Sequence, residues 1–209
     1  MDEIGMIRSR QPENRLVVFL KQPQRGRVKK RLAVGIGASA ALSFYRQMIG
    51  ATLRSTRNPC WRTTLAITPD RRRSWLRRLG KKNSDVMPQG SGDLGCRMAR
   101  TIQKLAPSRV LIVGTDIPGL NAGIVAHAFK LLRNHDAVFG PAVDGGFWLV
   151  GIAKPQRARR IFDKVRWSTE SALRDVRKNF HPNARIALVD KLDDVDDEAA
   201  YRRFLAACR

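Results

Sequence analysis

Short, uninterrupted apolar runs alternate along this chain with longer stretches in which apolar residues recur at helical spacing. Leu16–Leu20 (LVVFL), Thr63–Thr68 (TTLAIT), Arg109–Gly114, Asp136–Gly140, Phe147–Ala153 and Arg185–Val189 have the length and the β-branched or aromatic content of strands. A run that is apolar without alternation, such as Leu16–Leu20, belongs in the middle of a sheet covered on both faces. Between these runs, Ala38–Leu53, Asp93–Leu105, Asn121–Arg133, Ser168–Phe180 and Asp197–Ala207 read as helices, with Asp93, Asn121 and Ser168 as N-caps. Arg71–Leu79 (RRRSWLRRL) reads as a short basic helix whose charges form a solvated face, nucleic-acid contact being the sharper alternative.

This alternation predicts an α/β fold: a three-layer α/β/α sandwich with a mixed, mainly parallel sheet. No helix separates Asp136–Gly140 from Phe147–Ala153, so one edge of the sheet is expected to be antiparallel. The 209 residues suit a single domain, with 1–14 as a flexible N-terminal extension.

Composition adds charge to this picture. Forty Lys and Arg against eighteen Asp and Glu give a formal net charge of +22. Such a field attracts nucleotides, nucleic acids or anionic surfaces without choosing among them. Cys60, Cys96 and Cys208 follow no metal-ligand or CxxC spacing, which suggests reduced thiols. The N-terminus lacks the apolar core of a signal peptide, and the apolar runs are too short to span a membrane, so a cytoplasmic location is expected. His127, His135 and His181 have no Ser or Cys partner at a motif spacing, and no HExxH or paired-Cys zinc pattern is present.

Two aspartates stand just after buried strands, where a carboxylate is poorly explained as core and well explained as a ligand contact. Asp116 follows LIVGT in a turn forced by Gly114 and Pro118; Asp144 lies between VFGPAV and GGFWLV. Each has a bland reading, as a turn cap or a tight hairpin. Together they suit a magnesium-type ion, which takes oxygen ligands from one or two carboxylates and from substrate phosphates. The first strand runs into Lys21–Leu32 (KQPQRGRVKKRL), in which Gly26 permits close backbone approach and Lys21, Arg27, Lys29 and Arg31 offer phosphate contacts. The loop is neither a P-loop nor a dinucleotide fingerprint. Gln89, Gly90 and Asp93, in a Gly-rich loop entering a helix, are candidates for a donor or acceptor pocket, as are Gly145, Gly146 and Trp148. The acidic run Asp193, Asp194, Asp196, Asp197 reads chiefly as a helix-start cap and solvated turn, with cation binding as the alternative.

In order along the chain, Lys21–Leu32, Gln89–Met98 (QGSGDLGCRM), Gly114–Leu120, Gly140–Gly151, Trp167–Thr169 and Asp194–Asp196 resemble the motifs of a family of bacterial transferase-like proteins. That family is glycosyltransferase-like and associated with radical-SAM gene clusters. Its motifs run K-x-P-x-x-G-R-V-K-T-R-L, Q-x-x-G-D-L-G-x-R-M, G-T-D-x-P-x-L, G-P-x-x-D-G-G-Y-x-L-x-G, W-S-T and D-x-D. The resemblance covers nearly the whole chain. It implies a GT-A-like fold of the nucleotide-diphospho-sugar transferase type, a nucleotide substrate and a divalent metal. Arg27, Lys29 and Arg31 match the phosphate-loop positions, Asp116 the metal aspartate and Asp144 the second acidic position. Lys30 stands in place of the threonine of K-T-R-L, Cys96 where an acid is common, and Phe147 and Trp148 where tyrosines are usual.

Three functions follow. The first is glycosyl transfer from a nucleotide-diphospho-sugar to an unknown acceptor, with Mg2+ or Mn2+ at Asp116 and Asp144 and with Lys29 and Arg31 offsetting phosphate charge. The second is nucleotidyl transfer with pyrophosphate release, as in cofactor-synthesis guanylyltransferases. Those resemble this chain in their early Lys-x-Arg-Leu segment but carry a late Asp-x-x-Gly-Thr-Asn segment, where Asp144 here leads into Gly-Gly-Phe-Trp. The third is a non-enzymatic nucleic-acid binder driven by charge; it lacks a recognisable binding module.

Overall fold

The computed structural model describes residues 13–70, 75–76, 85–157 and 160–208. The strands are β1 (Asn14–Lys21), β2 (Arg62–Thr68), β3 (Asp85–Pro88), β4 (Arg109–Val113), β5 (Ala137–Pro141), β6 (Phe147–Ile152) and β7 (Ile186–Leu188). They form one seven-stranded sheet in the order β3-β2-β1-β4-β6-β5-β7. All neighbours are parallel except those of β6, which runs antiparallel to both β4 and β5. The antiparallel strand therefore lies inside the sheet, not at its edge as the sequence pattern suggested. The short turn after β5 folds the chain back between β5 and β4, and β7 then supplies the parallel edge.

The helices are α1 (Lys30–Ile36), α2 (Ala38–Ser55), α3 (Leu94–Lys104), α4 (Ala122–Leu131), α5 (Ala172–Lys178) and α6 (Glu198–Ala207). Strand alternation sends Leu16, Val18 and Leu20 of β1 to one face, where Tyr45, Ile49, Val125 and Phe129 of α2 and α4 cover them. Val17, Val110 and Ile112 face the other way, onto Met98, Ile102 and Val176 of α3 and α5. The three-layer sandwich is thus as expected. A smaller apolar cluster joins α1, α2 and α6 through Leu32, Phe44, Met48 and Ala200, with Phe44 and Tyr201 edge to face at 5.1 Å. That junction packs the C-terminal helix on α1 and α2.

Local chemistry sets the helix starts. Asp93, Asn121 and Asp197 accept from the backbone N–H groups of Cys96, Ile124 and Ala200, bonds worth about 1 kcal/mol each in helix stability. Ser168 is not a cap. Its backbone is left-handed at φ 60°, and α5 begins later, with Ser171 in the cap position. The basic segment is likewise more than a loop, because its last three residues, Lys30–Leu32, open helix α1. Strand β3 had no signal, being a four-residue piece ending in a proline. Of the basic stretch Arg71–Leu79, all but Trp75 and Leu76 lie outside the described residues, as does most of the segment 1–14.

In an open α/β sheet a ligand crevice lies where the strand order reverses, outside the carboxyl ends of the strands. Here that point is between β1 and β4: β2 lies on one side of β1, and β4 on the other. The loops leaving β1 and β4 carry Lys29 and Asp116.

Candidate functional site

Lys29 closes the loop after β1 in a left-handed conformation, φ 46° and ψ 50°, and its carbonyl accepts the first helical bond of α1. A non-glycine residue held there is strained, and the strain is recovered through the side chain. The Lys29 side chain is 5% exposed, and its Nζ donates to Asp116 Oδ2 at 2.6 Å and to Asp196 Oδ1 at 2.5 Å. Burial pulls the ammonium down. The Asp116 and Asp196 charges and hydrogen bonds outweigh it, and its pKa is raised.

The Asp193–Asp197 segment divides its acids between two jobs. Asp193 pairs with Arg203 at 2.6 Å, and Asp197 caps α6 and meets Arg31 at 3.2 Å. Asp194 and Asp196 flank Val195, which is buried in the α1–α2–α6 cluster and whose N–H donates to the Asp116 carbonyl at 3.0 Å. This bond registers the segment on the β4 loop. Carboxylate oxygens of Asp116, Asp194 and Asp196 lie within 4.8 Å of one another. Asp194 is half-buried, and its carboxyl is pushed up to about 6 by burial and then by Asp196, Asp116 and Asp144. Hard oxygen donors at this density suit a divalent cation, and the Lys29 ammonium already bonds two members of the cluster. The chemistry of the donor set fits a cation.

Two cavities meet at this cluster. A basic cleft of about 730 Å³ is lined by Lys21, Arg27, Lys29, Lys30, Arg31 and Arg97 together with Gln89 and Asp116. A narrower cavity of about 260 Å³ lies against β4 and β6, among Phe19, Met98, Ile112, Phe147, Val150 and Trp167. Asp116, Asp144 and Asp194 also line the narrower cavity. Phe19, Gly114, Asp116 and Ser168 belong to both.

The expected site residues divide accordingly. Lys21, Arg27, Lys29 and Arg31 all line the basic cleft; Gly26 turns the loop at φ 73°. Asp144 shares the narrow cavity with Asp116 but stands outside the three-carboxylate cluster; its Oδ1 accepts from the Gly146 N–H at 2.9 Å. The partners of Asp116 in the cluster are Asp194 and Asp196, which the sequence weighed mainly as a solvated turn. The available signal was the D-x-D spacing around an apolar residue, which puts two acids on the side opposite to a buried valine. Gln89 is 4% exposed, and its amide donates to the carbonyls of Leu20 and Ala66, so it ties the ends of β1 and β2 together beneath the cleft. Gly90 and Asp93 line neither cavity; Asp93 caps α3. Gly146 and Trp148 line the narrow cavity, and Gly145 lines a shallow depression behind it. The exposed Cys96 thiol is pushed up by its bond and charge from Asp93, which makes it a poor nucleophile.

Solved structures bear on what such a site belongs to. A protein from Desulfovibrio desulfuricans G20, provisionally assigned as a nucleotide-diphospho-sugar transferase, superposes with a TM-score of 0.78 at 26% identity, over 89% of this chain and 83% of its own. The 4-diphosphocytidyl-2C-methyl-D-erythritol synthase of Anaerococcus prevotii DSM 20548 gives 0.63 at 10% identity, over 95% and 99%. Rv0371c of Mycobacterium tuberculosis H37Rv, in complex with manganese, gives 0.53 at 14% identity, over 93% and 99%. No curated protein matches the sequence. The fold is therefore that of the nucleotide-utilising GT-A-like and nucleotidyl transferases, with a candidate acidic metal cluster. More particularly, residues 52–169, over half of the chain, match the family of uncharacterized proteins conserved in bacteria known as DUF2064, and the chain belongs to it. Nothing in these comparisons supports an association with radical-SAM gene clusters. No helix among the described residues is long and apolar enough to cross a membrane.

Proposed function

We propose that this protein transfers a glycosyl group from a nucleotide-diphospho-sugar to an acceptor hydroxyl, with Mg2+ or Mn2+ held by Asp116, Asp194 and Asp196. The observation that carries this reading is the meeting, at Asp116, of a cationic cleft and a largely apolar cavity edged by carboxylates. A two-substrate transfer needs one compartment for a diphosphate and one for its partner, sharing the reacting point. Bound metal would neutralise diphosphate charge as a Lewis acid. Arg27, Lys29 and Arg31 grip the diphosphate and stabilise the charge that grows on it as the sugar–phosphate bond breaks. Asp144, on the wall of the narrower cavity, takes the proton of the acceptor hydroxyl as its oxygen bonds to the sugar carbon. The products are a glycoside and a nucleoside diphosphate.

A second reading is nucleotidyl transfer, favoured by the superposition on the 4-diphosphocytidyl-2C-methyl-D-erythritol synthase of Anaerococcus prevotii. The same cations would then hold a triphosphate, and pyrophosphate would leave. Incubation with nucleotide-sugars and, separately, with nucleoside triphosphates, Mn2+ and mixed acceptors distinguishes the two by product. Nucleoside diphosphate released from the sugar donor, and abolished in Asp116→Asn, supports glycosyl transfer. Pyrophosphate release overturns it in favour of the second reading. No nucleotide-dependent thermal shift with or without metal overturns both.

A further inference from the structure

The narrow cavity beside the carboxylates has a chemistry of its own. Its floor is Ile112 and Val150, on adjacent strands, and its walls are Phe19, Met98, Phe147 and Trp167. Few polar groups could serve a ligand deep in it. Trp148 donates its Nε1 to the Asp190 carbonyl at 3.2 Å, and the Trp167 Nε1, buried without a hydrogen-bond partner, offers a single N–H. The Thr169 hydroxyl donates to the Arg166 carbonyl and accepts from the Ser171 N–H. The other polar side chains of the lining are those of Asp116, Asp144 and Asp194, with Ser168, which like Asp116 also lines the basic cleft.

Resting on the transferase reading above, the geometry points to an acceptor that is a small alcohol with an apolar, ring-sized body and no negative charge. A free sugar carries hydroxyls around its whole ring, and most of those sunk between Ile112, Val150 and Phe147 would lose their water without a partner. An aromatic or alicyclic body loses nothing on entering and gains contact with Phe147 and Trp167. An anionic acceptor would bring its charge against Asp144 and Asp194. A cavity of about 260 Å³ admits one ring and a short arm, which leaves the hydroxyl at the carboxylate end. In the transfer, that hydroxyl oxygen bonds to the sugar carbon, its proton passes to Asp144, and the nucleoside diphosphate leaves with the bonding pair.

Saturation-transfer NMR of the full chain, with and without Mn2+ and a nucleoside diphosphate, tests this with phenethyl alcohol, benzyl alcohol, methyl glucoside and glycerol phosphate. The aromatic alcohols are expected to show transfer, and the glucoside and the phosphate none. Leu94→Gln alters a half-exposed side chain lining the cavity, so it should fold normally; it is expected to weaken alcohol binding about fivefold, close to 1 kcal/mol. Preferential binding of methyl glucoside or glycerol phosphate overturns the inference. So does an absence of alcohol binding, or alcohol binding unchanged in Leu94→Gln. The thermal shift with Mn2+ and nucleoside diphosphate on the same samples reports separately on the transferase reading. If that shift is missing while alcohols bind, the reading fails and the cavity's preference stands; if it is present without alcohol binding, only the preference fails.

Discussion

Lys29 and Asp116 are 87 residues apart in the chain and 2.6 Å apart in space, joined by an ion pair with one end almost wholly buried. The pair links the β1 loop to the β4 loop across the point where the strand order reverses. The ammonium occupies oxygens of Asp116 and Asp196 that belong to the candidate metal cluster. A metal and Lys29 therefore compete for the same carboxylates, and a diphosphate gives Lys29 another partner.

Lys29→Met separates these roles. Mn2+ titrated alone is expected to bind about tenfold more tightly, since a resident cation is gone. Nucleoside diphosphate is expected to bind about tenfold more weakly, for want of a charge-assisted bond worth about 1.5–3 kcal/mol. Calorimetry of each ligand in turn checks both. A variant that weakens Mn2+ and leaves the diphosphate untouched would remove Lys29 from the phosphate site.

Asp194 makes the cluster costly in the absence of metal. Its carboxyl is pushed up to about 6 by burial and by neighbouring acids, whereas in the unfolded chain it titrates near the ordinary value of about 4. Between these values the folded protein holds a proton that the unfolded chain has released, so stability falls as pH rises through the window and stays lowered above it. Asp194→Asn in chelator-treated protein is therefore expected to be more stable at about pH 7.5, by on the order of 1–2 kcal/mol once partial exposure is allowed for, which raises its Tm, and to leave Tm unchanged near pH 4. Mn2+ should raise the Tm of the parent protein more than that of the variant. Melting curves at the two pH values decide this; a variant less stable at pH 7.5 would contradict it.

Most of the architecture was legible because burial writes itself into the chain as runs and periods. Leu16–Leu20 had to be a central strand, and Asp93 and Asn121 were caps by their chemistry and position. Asp116 and the basic loop stood out as candidate site elements because neither belongs in a core. What the pattern could not supply was pairing at long range. Nothing local to Asp194 and Asp196 says that α6 packs on α1 and α2 and delivers them to Asp116, because that depends on contacts such as Phe44 with Tyr201. The place of β6 inside the sheet was hidden for a related reason: a short reversal is compatible with an edge or an interior strand, and only the positions of β4 and β7 decide.

Gly145 holds the turn that carries Asp144. Its φ is +85°, and a Cβ there would stand 2.3 Å from the Glu170 carbonyl oxygen. Its own carbonyl accepts from the Leu173 N–H at 3.3 Å, which fixes the turn to the start of α5. Gly119 has a similar φ of +88° with nothing within 4 Å. Gly119→Ala should cost only the left-handed conformation, about 1–2 kcal/mol. Gly145→Ala should cost that plus a steric term of about 1–3 kcal/mol, and should lower turnover as the Asp144 turn shifts. Denaturant unfolding of the two variants isolates the steric part, and equal losses would mean that the Glu170 backbone yields freely.

The charge of +22 needs its own test, because it ensures some binding to any polyanion. Non-specific phosphate contacts by exposed Lys and Arg release counterions, and affinity for DNA or RNA should fall by about a thousandfold or more between about 50 and 200 mM salt. Lys29 is different: it is buried, paired and little screened, so nucleotide binding in the cleft should survive the same change. The two behaviours also part under mutation. Asp116→Asn is expected to abolish metal-dependent nucleotide binding while leaving the gel shift of duplex DNA unaltered, since Asp116 lies among the site carboxylates and not on the exposed cationic surface. If nucleotide and DNA binding instead collapse together with salt, and both ignore Asp116→Asn, the cleft is an ordinary part of a basic surface and the charge-driven binder becomes the better account of the protein.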